Sequence, residues 1–345
     1  MSNSTFLAAC RRLPVAYTPI WLMRQAGRYM PEYRQIRGRY SFLELCRTPA
    51  AAAEVTVTAV HQLGVDAAIL FADILLLLDP LGISLEYSRN DGPIIHRPVR
   101  SPEDVQRLPR IDAAAELPYV YEAVRLARAS LRVPLIGFSG APFTLASYLI
   151  EGGGSRHYAH TKTLMYRAPK AWQTLMELLV DNVASYLRRQ IAAGADAVQV
   201  FDSWVGCLSP QDYRRFVLPH MQRLFAALPA EVPVIHFGTG TAGLLELLRE
   251  AGGTVIGLDW RVDLADGWQR VGFDRAVQGN LDPVALLGPR EALLSQARHI
   301  LDRVGTRPGH IFNLGHGVLP PTPVDNVRAL VDFVHEYSRA TRSHA

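Results

Sequence analysis

The chain has 345 residues, 49% of them apolar, with a formal net charge of +4 and an isoelectric point near 9.0. That is a globular composition, with length for one large domain or two ordinary ones and for a substantial core. Mild basicity suits an anionic ligand but falls short of a nucleic-acid signature, which needs a concentrated Lys/Arg stripe and a recognisable module.

Cys10, Cys46 and Cys207 are odd in number, far apart and form no CxxC, so neither a disulfide framework nor a zinc ribbon is indicated. The basic pair Arg11-Arg12 follows a very short apolar piece, the reverse of a secretory signal. The most apolar window, residues 67–83, is broken by Asp73, Asp79 and Pro80 and is too polar to span a bilayer. The expectation is a cytoplasmic protein with no membrane or nucleic-acid partner.

Taken in order, the first apolar run, residues 20–23, reads as a strand that ends on Arg24. The stretch from 21 to 39 holds Arg24, Arg28, Arg34, Arg37 and Arg39, offset only by Glu32. Gly27 permits a sharp turn or close approach to a ligand. Guanidinium groups stay charged and present planar forks that match carboxylates or phosphates two bonds at a time. Several at one strand end form a candidate clamp for a multiply anionic small molecule. The plainer alternative is a solvated basic face, since the only lysines in this arginine-rich chain are Lys162 and Lys170. Arg24 and Arg28 stand apart because apolar residues surround them.

Further apolar runs lie at 67–71, 135–138, 198–201, 234–237, 255–258, 276–279 and 311–314. Between them are amphipathic segments such as 176–193 and 244–251, with apolar residues at three- and four-residue spacing. Alternating strands and helices imply a parallel α/β sheet, and eight such strands favour a single closed (β/α)8 TIM barrel. One insertion breaks the alternation: residues 83–87, Asn90-Asp91-Gly92 and 94–99 read as a β-hairpin after the second strand. No repeat or linker divides the chain, so residues 1–345 are expected to form one domain, with a frayed tail at 339–345.

In a barrel, function collects where strands end. Those positions carry Arg24 and Arg28, Asp73, Ser139-Gly140, Asp202 and Ser203, His236, Asp259, Asn280 and Asp282, and His316. Helix capping is the simpler account of Asp282, Asp202 and Ser139. Asp73 differs, because it lies within the apolar stretch 69–78. A buried carboxylate there is costly unless paired with a cation, such as an arginine from the first strand, or met by a ligand presenting N–H groups. His316, between Gly315 and Gly317, reads equally as a ligand contact or a structural histidine.

A rival signal occupies residues 232–260: a strand, then Gly238-Thr239-Gly240-Thr241-Ala242-Gly243, a helix, and a second strand ending at Asp259. This matches the GxGxxG dinucleotide fingerprint with its ribose-binding acid and keeps an NAD-dependent oxidoreductase open, although the unit comes late in the chain. No HExxH occurs, and His236 has no cysteine two residues on, so zinc is unsupported.

The residues Trp21-Leu22-Met23-Arg24-Gln25-Ala26-Gly27-Arg28-Tyr29-Met30-Pro31-Glu32-Tyr33-Arg34 closely resemble the N-terminal signature of the uroporphyrinogen decarboxylase family. Phe71-Ala72-Asp73-Ile74-Leu75, Gly140-Ala141-Pro142-Phe143-Thr144, Tyr148 with Glu151-Gly152-Gly153-Gly154-Ser155, Phe201-Asp202-Ser203-Trp204, Gly279-Asn280-Leu281-Asp282-Pro283 and Asn313-Leu314-Gly315-His316-Gly317 are similar to that family's motifs, in its order. The resemblance spans about residues 5–338.

It implies a (β/α)8 barrel, a homodimer, no cofactor and no metal. The implied reaction removes CO2 from the four acetate side chains of uroporphyrinogen III to give coproporphyrinogen III, in haem and tetrapyrrole synthesis. Carried over by position, Arg24, Gln25, Ala26, Gly27, Arg28 and Arg37 contact substrate. Asp73 faces the pyrrole N–H groups, and Tyr148, Ser203 and His316 supply the remaining contacts. The resemblance leaves the proton donor open among Arg37, Arg28, Tyr148, His316 and an arginine-bound water. Related methyl-transferring enzymes bind zinc through H-x-C; here His236 is followed by Phe237 and Gly238, a departure from that pattern. On this reading the GxGxxG is an ordinary glycine-rich loop, and a non-catalytic porphyrin-binding protein is a further alternative.

Overall fold

Prolines set much of the helical layer of this protein, whose computed structural model describes residues 4–88 and 92–343. Pro49–Leu63, Pro118–Ser130, Pro142–Glu151, Pro169–Ala193 and Pro210–Phe216 each begin on proline, whose fixed φ and missing N–H suit a first helical position. Gly64 and Gly152 end two of them in the left-handed conformation.

The strands are β1 (Ala68–Ile69), β2 (Leu85–Ser88), β3 (Gly92–Ile95), β4 (Leu135–Gly140), β5 (Ala197–Asp202), β6 (Val234–Gly238), β7 (Val255–Gly257), β8 (Ala276–Gln278) and β9 (His310–Ile311). Seven of them make one curled sheet in the order β1-β4-β5-β6-β7-β8-β9, with every neighbouring pair parallel. Strands β4, β6, β7 and β8 are buried along their whole length, which is why they read as unbroken apolar runs. Strands β2 and β3 form a separate antiparallel hairpin, Leu85 opposite Ile95 and Ser88 opposite Gly92. Asn90 and Asp91, read as its turn, lie outside the described residues.

The first expected strand, 20–23, is not a strand. Ile20 makes only an isolated parallel bridge to Phe312. Side chains take the ladder positions beyond it: Leu22 N–H donates to Gln25 Oε1 at 3.1 Å and Met23 N–H to Asn313 Oδ1 at 3.1 Å. The segment is held from both edges of the sheet. Trp21 N–H donates to Phe312 carbonyl oxygen at 3.3 Å, and Asp66 N–H donates to Ile20 carbonyl oxygen at 2.8 Å. Of the tail read as frayed, residues 339–343 continue the helix Val324–Ser343, and 344–345 lie outside the described residues.

Asp66 is the hub of this seam. Its carboxylate accepts from Ile20 N–H at 2.7 Å and from the Tyr17 hydroxyl at 2.9 Å, and pairs with His335 Nε2 at 2.7 Å. Asp66→Ala strands the buried Ile20 N–H without an acceptor. It is expected to cost about 1–3 kcal/mol, read as a lower urea midpoint with unchanged m-value. A loss below about 0.5 kcal/mol, the usual range for surface changes, would mean the seam is held elsewhere.

Candidate active site

The site starts from a backbone constraint. Arg24 adopts a left-handed conformation, φ 60°, uncommon for a residue with a Cβ. Gln25 enforces the reversal: Oε1 accepts from Leu22 N–H, and Nε2 donates to Ala67 carbonyl oxygen at 3.1 Å. The Tyr29 hydroxyl closes on Gln25 carbonyl oxygen at 2.6 Å. The Gln25 amide is therefore taken up by the scaffold, and the half-buried Ala26 and Gly27 follow it in the turn.

A buried polar chain anchors the same segment to the far strands. Trp21 Nε1 donates to Gln278 at 2.9 Å, and Gln278 donates to Gln199 at 3.1 Å. Gln199 then meets Met23 Sδ at 3.5 Å.

Arg24 and Arg28 are exposed, and their guanidinium groups have no hydrogen bond or ion pair among the described residues. The Arg24 stem lies against Gly317, where a Cβ would stand 2.4 Å from Arg24 Cδ. Only glycine lets the His316 loop come this close. Burial pushes His316 down to about 4, and the Arg24 and Arg261 charges push the same way. The imidazole is thus neutral around pH 7.

Asp73 lies within reach of the Arg24 charge. Both of its hydrogen bonds fall on Oδ1: Leu75 N–H at 2.8 Å and the Tyr87 hydroxyl at 2.5 Å. Burial raises its pKa, while Tyr87, Leu75 and the Arg24 charge oppose the rise. The arginine expected to pair with it acts through its field, without an ion pair. Tyr148 is pushed up to about 12 by burial and by Asp73, with Arg24 opposing. Arg24 thus acts on Asp73, Tyr148 and His316 alike, and the space beside these four groups is the candidate site.

Aromatic rings wall that space. Tyr148 stacks on Trp204 at 3.7 Å, and Tyr158 meets the indole edge-on at 5.3 Å. On the Asp73 side Phe42 packs against Tyr87 at 4.8 Å and against Phe71 at 6.0 Å, with Tyr33 on Phe71 at 5.6 Å. Arg37 is half-buried behind this wall, donating to the Tyr40 carbonyl. Its charge acts on Tyr33 and on Cys46, and Asp73 acts on Cys46 as well. Ser203 is half-buried, and its carbonyl accepts from the Thr239 hydroxyl.

Other strand-end residues serve the scaffold. Asp282 caps the turn after it through Val284 N–H at 2.9 Å. Asp202 does not cap the next helix. It is buried and accepts from the Thr144 hydroxyl at 2.8 Å, and burial raises it to about 7. Nor is Ser139 a cap, since its hydroxyl donates to the Gly140 carbonyl at 3.0 Å. His236 is buried against Phe225 of the helix Leu218–Ala226, with ring centroids 5.0 Å apart, so it faces the helical layer.

Within the glycine-rich loop, Asp259 is already engaged. It accepts from Gly240 N–H at 2.5 Å and pairs with Arg261 at 2.7 Å. The acid that a dinucleotide fingerprint would turn toward a ribose holds its own loop. Gly206 presses on that loop as well, where a Cβ would lie 2.2 Å from Thr239 carbonyl oxygen.

Two contributors escaped sequence reasoning. Tyr87 arrives from the hairpin, and its only signal was its place in a short strand. Arg261 follows Asp259 and looked like one arginine among many.

The family described as uroporphyrinogen decarboxylase (URO-D) matches residues 1–337. A protein named uroporphyrinogen decarboxylase from Carboxydothermus hydrogenoformans is 58% identical, over 97% of this chain and 97% of its own. Another of that name from Sorangium cellulosum is 56% identical, over 98% of each chain. Among solved structures, a methyltransferase from Methanosarcina mazei superposes with a TM-score of 0.78 at 20% identity, covering 96% of this chain and 98% of its own. That last likeness concerns the fold alone.

Proposed function

The chain belongs to the uroporphyrinogen decarboxylase family and is a carboxy-lyase, and on that premise we propose that it converts uroporphyrinogen III to coproporphyrinogen III without a cofactor. Four acetates each lose CO2. Protonating the ring carbon beside an acetate makes a pyrrole cation. The C–CO2 bond then breaks, its electron pair neutralises the cation, and the exocyclic methylene carbon takes a proton to become methyl while the ring carbon gives up the proton it first received, restoring the pyrrole.

The observation that carries this reading is Asp73. Its Oδ1 is fixed by Tyr87 and Leu75, and Oδ2 is left to meet pyrrole N–H groups. Its negative charge stabilises the cation where it forms, and preorganised electrostatics of this kind is usually the largest catalytic term. Arg24 and Arg28 bind carboxylates and hold the reacting one in position. Arg37 is a further basic contact at the edge of the aromatic wall. Tyr148, Ser203 and neutral His316 offer hydrogen bonds, and Ala26 and Gly27 line the turn. Gln25 acts by fixing the Arg24 backbone.

The same reading supplies the architecture. The Ile20 segment stands in for the eighth strand and closes a (β/α)8 barrel with the hairpin inserted after β1, the whole chain being one catalytic domain. By family resemblance it works as a homodimer in the cytoplasm, without nucleic acid or membrane. No helix among the described residues is long and apolar enough to cross a membrane.

Anaerobic incubation with uroporphyrinogen III, in chelator and without added cofactor, tests this. Oxidised products separated by carboxylate number are expected to show the seven-, six-, five- and four-carboxylate porphyrins in turn. An unchanged eight-carboxylate peak from folded protein overturns the proposal and leaves a binding protein.

A further inference from the structure

Arg261 is built as a held fork. Asp259, with 1% of its side chain exposed, accepts from Arg261 Nη1 at 2.7 Å, while half of the Arg261 side chain remains in solvent. Asp259 Oδ1 also accepts Arg261 N–H at 3.0 Å. The guanidinium lies 3.9 Å from the centre of the Trp260 ring, which fixes its plane. One donor is anchored, the plane is set, and the remaining N–H groups are free to point outward. A surface arginine that served only for solubility would need neither a buried carboxylate nor an indole beneath it.

Its place follows from two glycines. A Cβ on Gly315 would stand 2.3 Å from Trp260 N and 3.0 Å from Asp259 carbonyl carbon, so the 259–261 segment rests directly on the His316 loop. A Cβ on Gly317 would strike the Arg24 stem at 2.4 Å. Arg24 and Arg261 therefore approach His316 from two directions. The charges of both act on its imidazole, in keeping with these two contacts.

We propose that Arg261 is a further substrate-positioning residue, binding a non-reacting carboxylate on the side of His316 opposite Arg24. The inference rests on the decarboxylase reading above and extends it. The ligand group is a propionate or waiting acetate, held by two N–H···O bonds in the plane set by Trp260. Such a contact is made equally in the ground and transition states, so its loss falls on KM more than on kcat.

The test compares the full-length wild type with Arg261→Gln and Arg261→Lys on uroporphyrinogen III, resolving kcat from KM and recording each melting temperature. Arg261→Gln is expected to raise KM about 10-fold or more with kcat within about three-fold. Arg261→Lys keeps a cation beside Asp259 but loses the planar fork, and should still raise KM several-fold at an unchanged melting temperature. A wild-type KM in Arg261→Lys overturns the proposal, because a residue that merely neutralises Asp259 is replaced by lysine. If Arg261→Gln fails to fold, the lysine variant alone decides. Wild-type protein that releases no CO2 overturns the parent reading, and this role with it.

Discussion

Asp73→Asn is expected to lower kcat by about 10³-fold while leaving the melting temperature at pH 8 unchanged or higher. The two halves of this result have one cause. Asparagine is nearly isosteric and still offers Oδ1 to Leu75 N–H and the Tyr87 hydroxyl, so the local geometry survives. What disappears is a negative charge that burial disfavours: the carboxyl is raised from its ordinary range even with Tyr87, Leu75 and Arg24 acting against the rise. In the resting protein that charge is a cost. When a pyrrole cation forms beside it, an opposite charge within a few ångströms turns the cost into stabilisation. The neutral amide gains in the resting state and loses in the transition state. Single-turnover kinetics and calorimetry on the same sample measure both. Activity within ten-fold of wild type would falsify the assigned role.

The second large effect concerns Asp202, outside the site. Its carboxyl moves from an ordinary 3.8 to about 7 through burial, against one hydrogen bond from the Thr144 hydroxyl. Between those pH values the folded chain holds a proton that the unfolded chain has released. This group's contribution is therefore fully present below about 4 and is lost as pH rises through 7. At about 1.4 kcal/mol for each pH unit between the two values, the ceiling is roughly 4 kcal/mol. Asp202→Asn keeps an acceptor for Thr144 and has nothing to titrate. Urea unfolding at pH 5 and pH 8 should show wild type losing more stability on going to pH 8 than the variant, by up to about 3 kcal/mol, the two pH units between 5 and 7 at about 1.4 kcal/mol each. Equal losses would show that the carboxyl titrates in the ordinary range.

The sheet was largely legible because parallel strands buried on both faces are short apolar runs flanked by turn signals. The first run failed for a local reason: Gln25 and Asn313 side chains replace the strand partners that Leu22 and Met23 would need. Arg24, Asp73 and His316 stand out in the sequence through charge, burial cost and flanking glycines, and in the structure the Arg24 charge acts on the other two. Gln25 looked like a ligand contact because it stands among contacts, yet both ends of its amide bond the scaffold. Tyr87 could not be anticipated from pattern, since its partner lies fourteen residues back, across a contact between the hairpin and the loop after β1. Asp202 and Ser139 sat where caps belong, and only the burial of the first and the carbonyl partner of the second show otherwise.

The seam that carries Arg24 has a bearing on biosynthesis. Its bonds join the beginning of the chain to the end: Thr18 N–H to Ser338 Oγ at 2.8 Å, Trp21 N–H to Phe312, Asp66 to His335. A ribosome delivers residues 18–25 long before their partners at 312–338. During translation the arginine-rich stretch waits on an unfinished sheet, its loop-closure entropy still unmet. The segment that carries Arg24 thus settles only once residues 312–338 have been made. A chain that stops short of residue 310 lacks the partners that hold Trp21 and Met23 and leaves Arg24 without its seat.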